Sequence, residues 1–265
     1  MSAKLVLALP SKGRLKEDCA NMLAEAGLAI TKSGSVRGYK GTIAYLPDVE
    51  VNFVSSSEIT QFLKNGTAHV GITGEDLLRE TVPDCADRLN LRAPCGFGYA
   101  DVVVAVPTWW IDVQCMADLE ELAMTFRRCH GRRIRVATKY MNLTQRFFAQ
   151  HGVSGYRTVE SLGATEGAPA AQLAELVVDI TTTGATLRAN DLRVLNDGVI
   201  LRSQAHIISS NAARWSDHFR AIERELLEAL ARARHPNLKS PPTAGLARRC
   251  PSEPQDTIPP LYAPT

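Results

Sequence analysis

The sequence lacks the features expected of a membrane protein or of a secreted, disulfide-rich protein. In 265 residues, the only apolar run near the amino terminus is Leu5 to Leu9, which is too short for a signal peptide or a spanning helix. The six cysteines form no C-x-x-C pair and no zinc-like spacing with the histidines. We therefore expect reduced thiols in a cytoplasmic protein that does not enter a membrane.

An excess of charge of one sign is also missing. Lys and Arg number 30 and Asp and Glu number 28, which gives a formal net charge of +2. This balance does not favour binding to nucleic acid or to a membrane surface, so any anion site must be local. The histidines have no nucleophile partner at a readable spacing, and we expect no covalent catalysis.

Apolar strands alternate with amphipathic helices along most of the chain, which predicts an α/β protein with largely parallel sheets. A turn signal at Pro47-Asp48 divides two short strands, and Ser57 is a candidate helix N-cap. The predicted strands cover residues 4–9, 42–46, 50–54, 69–73, 101–106, 134–138, 176–181 and 194–209. The predicted helices cover residues 14–26, 57–65, 116–126, 143–151 and 213–234.

After Pro236 the composition changes. Prolines recur from there to Thr265, and large apolar residues are few. Such a segment cannot bury enough apolar surface to offset the entropy of ordering it, so residues 236–265 are predicted to be a flexible tail.

The most specific local pattern is Asp179 to Leu187, where an apolar strand runs into three threonines and a glycine. Backbone N–H groups and hydroxyls would converge at this turn, as in a phosphate site, and a glycine allows close approach of the anion. Asp179 could accept hydrogen bonds from sugar hydroxyls. The alternative is an ordinary helix cap. The predicted phosphate-binding residues are Thr182, Thr183, Gly184, Ala185, Thr186 and Leu187.

Two other turns follow predicted strands, in the position where α/β proteins commonly bind ligands. In the turn from Ser11 to Arg14, Lys12 and Arg14 could neutralise phosphate oxygens, although basic residues on a solvated loop would look the same. The turn from Gly71 to Asp76 has two glycines, which suggest close ligand approach. Its two carboxylates could instead complement a helix dipole.

Glu160 and Glu166 flank a short polar stretch that ends before Pro169. A carboxylate at this place could hold Mg²⁺ through water or accept a hydrogen bond from an adenine amino group. Glu166 is equally consistent with an ordinary helix start.

Several of these motifs occur in the same order in one enzyme family. The stretches Leu9–Leu15, Gly71–Leu77, Ala137–Tyr140 and Asp179–Asn190 resemble the ATP phosphoribosyltransferases of histidine biosynthesis, and Thr165–Pro169 is similar too. The resemblance implies an α/β, two-lobed fold like that of periplasmic binding proteins, with the active site in the cleft between the lobes. Residues 1–98 and 192–235 would form lobe I, and residues 99–191 lobe II.

The resemblance also implies a reaction. Adenine N1 of ATP would displace pyrophosphate from phosphoribosyl pyrophosphate in a Mg²⁺-dependent step, with Mg²⁺ carried by the substrate. Asp179 and residues 182–187 would hold the phosphoribosyl part, and Lys12, Arg14 and Glu166 would serve catalysis. The remaining residues of the two turns would bind the nucleotide: Ser11, Gly13, Gly71, Thr73, Gly74, Glu75 and Asp76.

Finally, the resemblance implies a partner. The chain looks like the short form of the family, which works with a regulatory subunit similar to histidyl-tRNA synthetase. The apolar side of residues 213–234 is a candidate contact, the alternative being packing onto its own lobe. Where relatives often have an arginine, this chain has Ser55 to Ser57, so Arg37, Lys40 or the partner would supply that cation. A periplasmic-type binding protein and a catalytically weak subunit are the rival interpretations.

Overall fold

The protein is described from a computed structural model, in residues 4–32, 39–82, 85–161 and 163–234. The predicted flexible tail at 236–265 and the suggested cation Arg37 lie outside the described residues. Within them the fold is α/β, as predicted, with the helices packed on two separate sheets.

The predicted alternation of strands and helices is confirmed, and the structure has three further strands, at residues 30–32, 89–94 and 156–160, that were not predicted. The strands are β1 Leu5–Pro10, β2 Ile30–Lys32, β3 Lys40–Ile43, β4 Leu46–Val54, β5 Val70–Gly74, β6 Leu89–Pro94, β7 Ala100–Pro107, β8 Ile134–Thr138, β9 Tyr156–Glu160, β10 Leu176–Thr181, β11 Leu192–Ser203 and β12 Ala205–Ser210. The helices are α1 Arg14–Glu25, α2 Ser56–Lys64, α3 Glu75–Thr81, α4 Cys85–Arg88, α5 Met116–His130, α6 Met141–Gln150, α7 Ala185–Ala189 and α8 Asp217–Arg234, and a short 3-10 helix covers Thr165–Gly167.

The two sheets define two lobes. Lobe I contains a seven-stranded sheet in the order β2-β3-β4-β1-β5-β12-β6, and lobe II a five-stranded sheet in the order β11-β7-β10-β8-β9. The sheets are mixed rather than largely parallel: β4, β1 and β5 run parallel, as do β10, β8 and β9, while β7, β11 and β12 pair antiparallel. The structure differs from the predicted boundary at residue 192, because β11 pairs with β7 in lobe II.

The chain passes between the lobes at residues 95–99 and again at Gln204. At the first passage Ala205 donates its N–H to Phe97 O at 3.0 Å, and Gly96 donates to the side chain of Gln204 at 3.2 Å. Gly74 of β5 pairs with Ala205 at the start of β12. The carboxyl ends of the parallel strands in both sheets therefore adjoin the two passages and face each other across a cleft.

Two local predictions were wrong. The turn between β3 and β4 lies at Ala44-Tyr45 rather than at Pro47-Asp48, because Pro47 falls where the β3–β4 register shifts and no ladder hydrogen bond is lost. The N-cap of α2 is Ser55, two residues before the predicted Ser57, because Ser55 and Glu58 form a reciprocal capping box.

Helix α8 closes the core of lobe I. Its residues Phe219, Ile222, Leu226 and Leu230 are buried against strands and helix α1 of that lobe. The apolar side of α8 is therefore packed within the protein, which favours the alternative to the predicted subunit contact. Among the described residues, no helix is long and apolar enough to cross a membrane.

Candidate functional site

The turn between β10 and α7 has the shape predicted for it, but its N–H groups are partly used within the protein. Gly184 has φ 70°, a left-handed conformation that favours glycine. Its N–H donates to the hydroxyl of Thr181 at 2.8 Å, and the N–H of Ala185 donates to that of Thr183 at 3.3 Å. Among the described residues, the N–H of Thr186 has no acceptor. The turn thus presents several threonine hydroxyls together with the backbone N–H group of Thr186.

A cavity of about 260 Å³ lies on this turn. It is lined by Ala100, Ile180, Thr181, Thr182, Thr183, Ala185 and Thr186. The hydroxyl of Thr182 also donates to Tyr99 O at 3.3 Å, which ties the turn to the first passage between the lobes. The side chain of Leu187 is buried in lobe II, packs beneath the turn and does not line the cavity.

Asp179 lies beside the turn, at the carboxyl end of β10, with Lys139 and Glu166 as charged neighbours. Burial raises the pKa of the Asp179 carboxyl above its usual value, and the charge of Glu166 adds to this rise. A hydrogen bond from the N–H of Ile180, at 2.8 Å, and the charge of Lys139 act in the opposite direction. Two carboxylates and one ammonium therefore influence one another on the lobe II side of the cleft.

On lobe I, the turn from Ser11 to Arg14 follows β1 at the cleft edge of its sheet. Gly13 has φ 75°, and Lys12 and Arg14 are exposed. Among the described residues, Arg14 forms one ion pair, with Asp18 at 3.9 Å, and its side chain is 91% exposed, so the contact has little energetic weight. Within the same residues Lys12 forms no ion pair, and both cations are available to a ligand.

The turn from Gly71 to Asp76 is occupied by the protein itself. A Cβ on Gly71 would lie 2.9 Å from Ile59, so this glycine makes room for helix α2 rather than for a ligand. A Cβ on Gly74 would lie 2.3 Å from the Asp76 carboxylate. Thr73 is fully buried, and Glu75 pairs with Arg79 at 2.6 Å. The predicted nucleotide contacts in this turn therefore also have packing or hydrogen-bonding roles within the protein.

Asp76 illustrates this role. It is buried, and its two oxygens accept hydrogen bonds from the hydroxyl of Tyr140 at 2.8 Å and of Ser203 at 2.9 Å. Burial and the nearby Asp76 raise the pKa of the Tyr140 phenol, so it remains a donor. Since Tyr140 belongs to lobe II, this bond joins the lobes across the base of the cleft.

Helix α3 of lobe I makes a second hydrogen-bonded contact with lobe II. The carboxylate of Glu80 accepts hydrogen bonds from the N–H groups of Asn142 and Leu143, both at 2.9 Å, at the start of α6. This is a capping interaction supplied by the other lobe. Asp76 and Glu80 are one helical turn apart, so a single face of α3 holds the beginning of α6.

The site residues predicted from the sequence do not include Lys139. It follows β8, whose last residue, Thr138, pairs with Val178, so Lys139 and Asp179 are adjacent strand ends. The motif that contains Lys139 was visible in the sequence, and its position directly after an apolar strand was the signal that could have identified it.

Known proteins resemble the chain over most of its length. The family model described as ATP phosphoribosyltransferase matches residues 55–232. The chain is 58% identical, over 231 residues, to ATP phosphoribosyltransferases of Rhodopseudomonas palustris strain HaA2 and Bradyrhizobium diazoefficiens. These matches cover 87% of this chain and 71% of each relative.

Solved structures agree with these matches. The ATP phosphoribosyl transferase (HisG:HisZ) complex from Thermotoga maritima contains a chain that is 26% identical, with a TM-score of 0.66, covering 89% of this chain and 100% of that one. A substrate-binding protein of an amino acid ABC transporter, 10% identical with a TM-score of 0.50, covers 88% of this chain and 94% of its own, and shows the shared two-lobed fold. The sequence and structural matches together establish that the chain belongs to the ATP phosphoribosyltransferase family.

Proposed function

We propose that the cleft joins two substrates, with phosphoribosyl pyrophosphate on lobe II and ATP towards lobe I. Adenine N1 attacks the anomeric carbon with its lone pair as the bond from that carbon to pyrophosphate breaks, and the leaving oxygen keeps the bonding electrons. The single observation that carries this assignment is the threonine-lined cavity of about 260 Å³, whose lining begins at Ile180, the residue after Asp179. Catalysis of this kind depends on alignment and on stabilising the departing charge.

The turn from Thr181 to Thr186 binds the 5-phosphate in this proposal. Helix α7 has only five residues, so its dipole adds little, and the hydroxyls with the remaining N–H groups supply the attraction. Gly184 keeps the turn tight enough for close approach. Asp179 is separated from this turn by Ile180 alone, so its carboxylate can accept hydrogen bonds from the ribose hydroxyls of the same ligand.

The triphosphate of ATP is assigned to the turn from Ser11 to Arg14. Lys12 and Arg14 are exposed and carry the positive charge that this ligand requires. Glu166, half-buried near Asp179, is placed to accept a hydrogen bond from the adenine amino group as the ring gains positive charge. In this proposal the buried turn from Gly71 to Asp76 shapes the site and does not contact the nucleotide.

Mg²⁺ fits this site as an ion carried by the substrates. Among the described residues, no group of three His, Cys, Asp or Glu side chains is arranged to hold a metal ion. Phosphate oxygens would therefore supply most of its ligands, and Glu166 and Asp179 could contact its water molecules. When bound, the ion neutralises diphosphate charge. The chain's own residues orient the two substrates around it.

A regulatory subunit similar to histidyl-tRNA synthetase is the proposed partner, and the cytoplasm the proposed location. Support for the partner comes from the Thermotoga maritima chain, which is matched over its full length and belongs to a HisG:HisZ complex. Helix α8 is not assigned to this contact, since its apolar side is buried.

A direct assay tests the proposed function. Purified protein is incubated with ATP, phosphoribosyl pyrophosphate and Mg²⁺, with and without the regulatory subunit, and phosphoribosyl-ATP is measured by mass spectrometry. We expect the product in at least one of these mixtures. Its absence from both, with tight binding of an amino acid instead, would favour a ligand-binding protein of the same fold.

A further inference from the structure

Lys139 is a cation at the cleft that the proposed roles do not yet use. Of the ion pairs within 4.0 Å among the described residues, none includes Lys139. Its side chain is exposed. The ammonium is therefore available to a ligand, although it acts on Asp179 at longer range.

The backbone on either side of Lys139 is fixed. Thr138 and Tyr140 are buried, and the N–H of Tyr140 donates to the Thr138 hydroxyl at 2.8 Å. The Tyr140 hydroxyl is held by Asp76 of lobe I, and the Lys139 ammonium lies 5.1 Å from the centre of the Tyr140 ring. Both lobes thus fix the point from which Lys139 extends.

The neighbouring charges explain why a cation is needed here. Asp179 and Glu166 put two carboxylates next to the site proposed for a substrate that itself carries several negative charges. Like charges repel one another in a partly buried site, and an unpaired cation at the same edge offsets the repulsion. Lys139 and Asp179 are the residues directly after paired strand positions, and so they share that edge.

We infer that Lys139 binds the diphosphate of phosphoribosyl pyrophosphate and stabilises the leaving pyrophosphate as the bond to the anomeric carbon breaks. This inference rests on the proposed function and names a further catalytic residue within it. The 5-phosphate occupies the threonine turn, and the diphosphate extends from the anomeric carbon towards the end of β8.

The experiment compares Lys139→Met, Lys139→Arg and a control, Arg133→Met. Arg133 is exposed and directly precedes the opposite end of the same strand, away from the cleft, so the control removes an equal charge from the same region of lobe II. Two quantities are measured: kcat and KM for phosphoribosyl pyrophosphate, and the dissociation constant of Mg²⁺-pyrophosphate by calorimetry. Thermal unfolding of each variant is recorded as well.

For Lys139→Met we expect kcat/KM to fall and pyrophosphate to bind more weakly, each by about 10- to 100-fold, with an unchanged unfolding temperature. Lys139→Arg should retain most of the wild-type kcat/KM and most of the affinity for pyrophosphate. Arg133→Met should retain both quantities in full. If Lys139→Met keeps wild-type pyrophosphate affinity and kcat/KM, the inference is overturned while the proposed function stands. If wild-type protein makes no phosphoribosyl-ATP, the proposed function fails, and the calorimetry still decides whether Lys139 binds pyrophosphate.

Discussion

Tyr140 of lobe II donates a hydrogen bond of 2.8 Å to Asp76 of lobe I, and both residues are buried. The two side chains are 64 residues apart in the chain. Because Asp76 also accepts from Ser203, at the end of the strand that leads back to lobe I, the carboxylate joins three parts of the cleft base. Any movement of one lobe relative to the other must therefore either preserve the hydrogen bond between Tyr140 and Asp76 or break it.

Replacing Tyr140 with phenylalanine tests that bond. We expect Tyr140→Phe to lower the free energy of unfolding by about 1 to 3 kcal/mol, because one buried carboxylate oxygen loses its donor. Chemical denaturation provides the measurement. The matched control is Tyr156→Phe, whose partly buried hydroxyl has no hydrogen-bond partner among the described residues. Equal losses of unfolding free energy in the two variants would show that the hydrogen bond to Asp76 makes no specific contribution to stability.

Gly184→Ala separates binding from backbone strain. Gly184 and Gly131 have similar left-handed conformations, with φ 70° and 64°, but Gly131 ends α5 far from the cleft. An alanine should destabilise the fold by about 1 kcal/mol at either position. Only Gly184→Ala should raise KM for phosphoribosyl pyrophosphate, which steady-state kinetics will measure. A similar KM in both variants would remove the turn from the site.

Asp179→Asn tests the sugar contact. The amide keeps the shape of the side chain and removes its charge, so the hydrogen bonds to ribose hydroxyls weaken. We expect KM for phosphoribosyl pyrophosphate to rise by about 10-fold with little change in unfolding temperature. Asp191→Asn, in an exposed residue of the same lobe, is the control. Unchanged kinetics in the Asp179 variant would contradict the assignment.

Glu175 predicts a dependence of stability on pH. Its hydrogen bonds and ion pairs with Arg135 and Arg132 outweigh its desolvation and lower its pKa from 4.5 to about 2. Because the folded pKa is depressed, the stabilisation is present above about pH 4.5 and is lost as the pH falls towards 2. Glu175→Gln should therefore be less stable than wild type by about 1 to 2 kcal/mol near neutral pH, after allowing for solvent screening.

Chemical denaturation of wild type and of Glu175→Gln, from neutral pH down to about pH 2, measures whether the stability difference changes in this direction. The difference between them should shrink as the pH approaches 2, because the wild-type carboxylate then becomes protonated. The control is Glu228→Gln, in an exposed residue of α8. A difference that is independent of pH would mean that the ion pairs are not its cause.

Much of the fold could be predicted because its signals are local. The apolar strand β10 and the glycine after it predicted the turn that carries the threonine-lined cavity, and Gly184 does adopt a positive φ. The cap of α2 was also encoded locally, although Ser55 rather than Ser57 fills it, because Glu58 must lie three residues after the cap.

The missed features depend on contacts between distant residues. Nothing near Gly71 in the sequence indicates that Ile59 fills the space over it. The hydrogen bond between Asp76 and Tyr140 can be recognised only when the relative positions of the two lobes are known. The sequence alone therefore favours a ligand site at the acidic turn. Lys139 follows an apolar strand in the sequence, but its place beside Asp179 is known only when β8 and β10 are known to be neighbours.

One titration tests the central claim most directly: nitrogen-15-labelled protein with ribose 5-phosphate, followed by amide chemical shifts. The ligand carries the phosphate and the sugar hydroxyls but no diphosphate, so it isolates the threonine turn. We predict saturable shifts that are largest for the amides of residues 181–186 and Ile180. Shifts confined to the turn from Ser11 to Arg14, with residues 181–186 unchanged at saturation, would contradict the account.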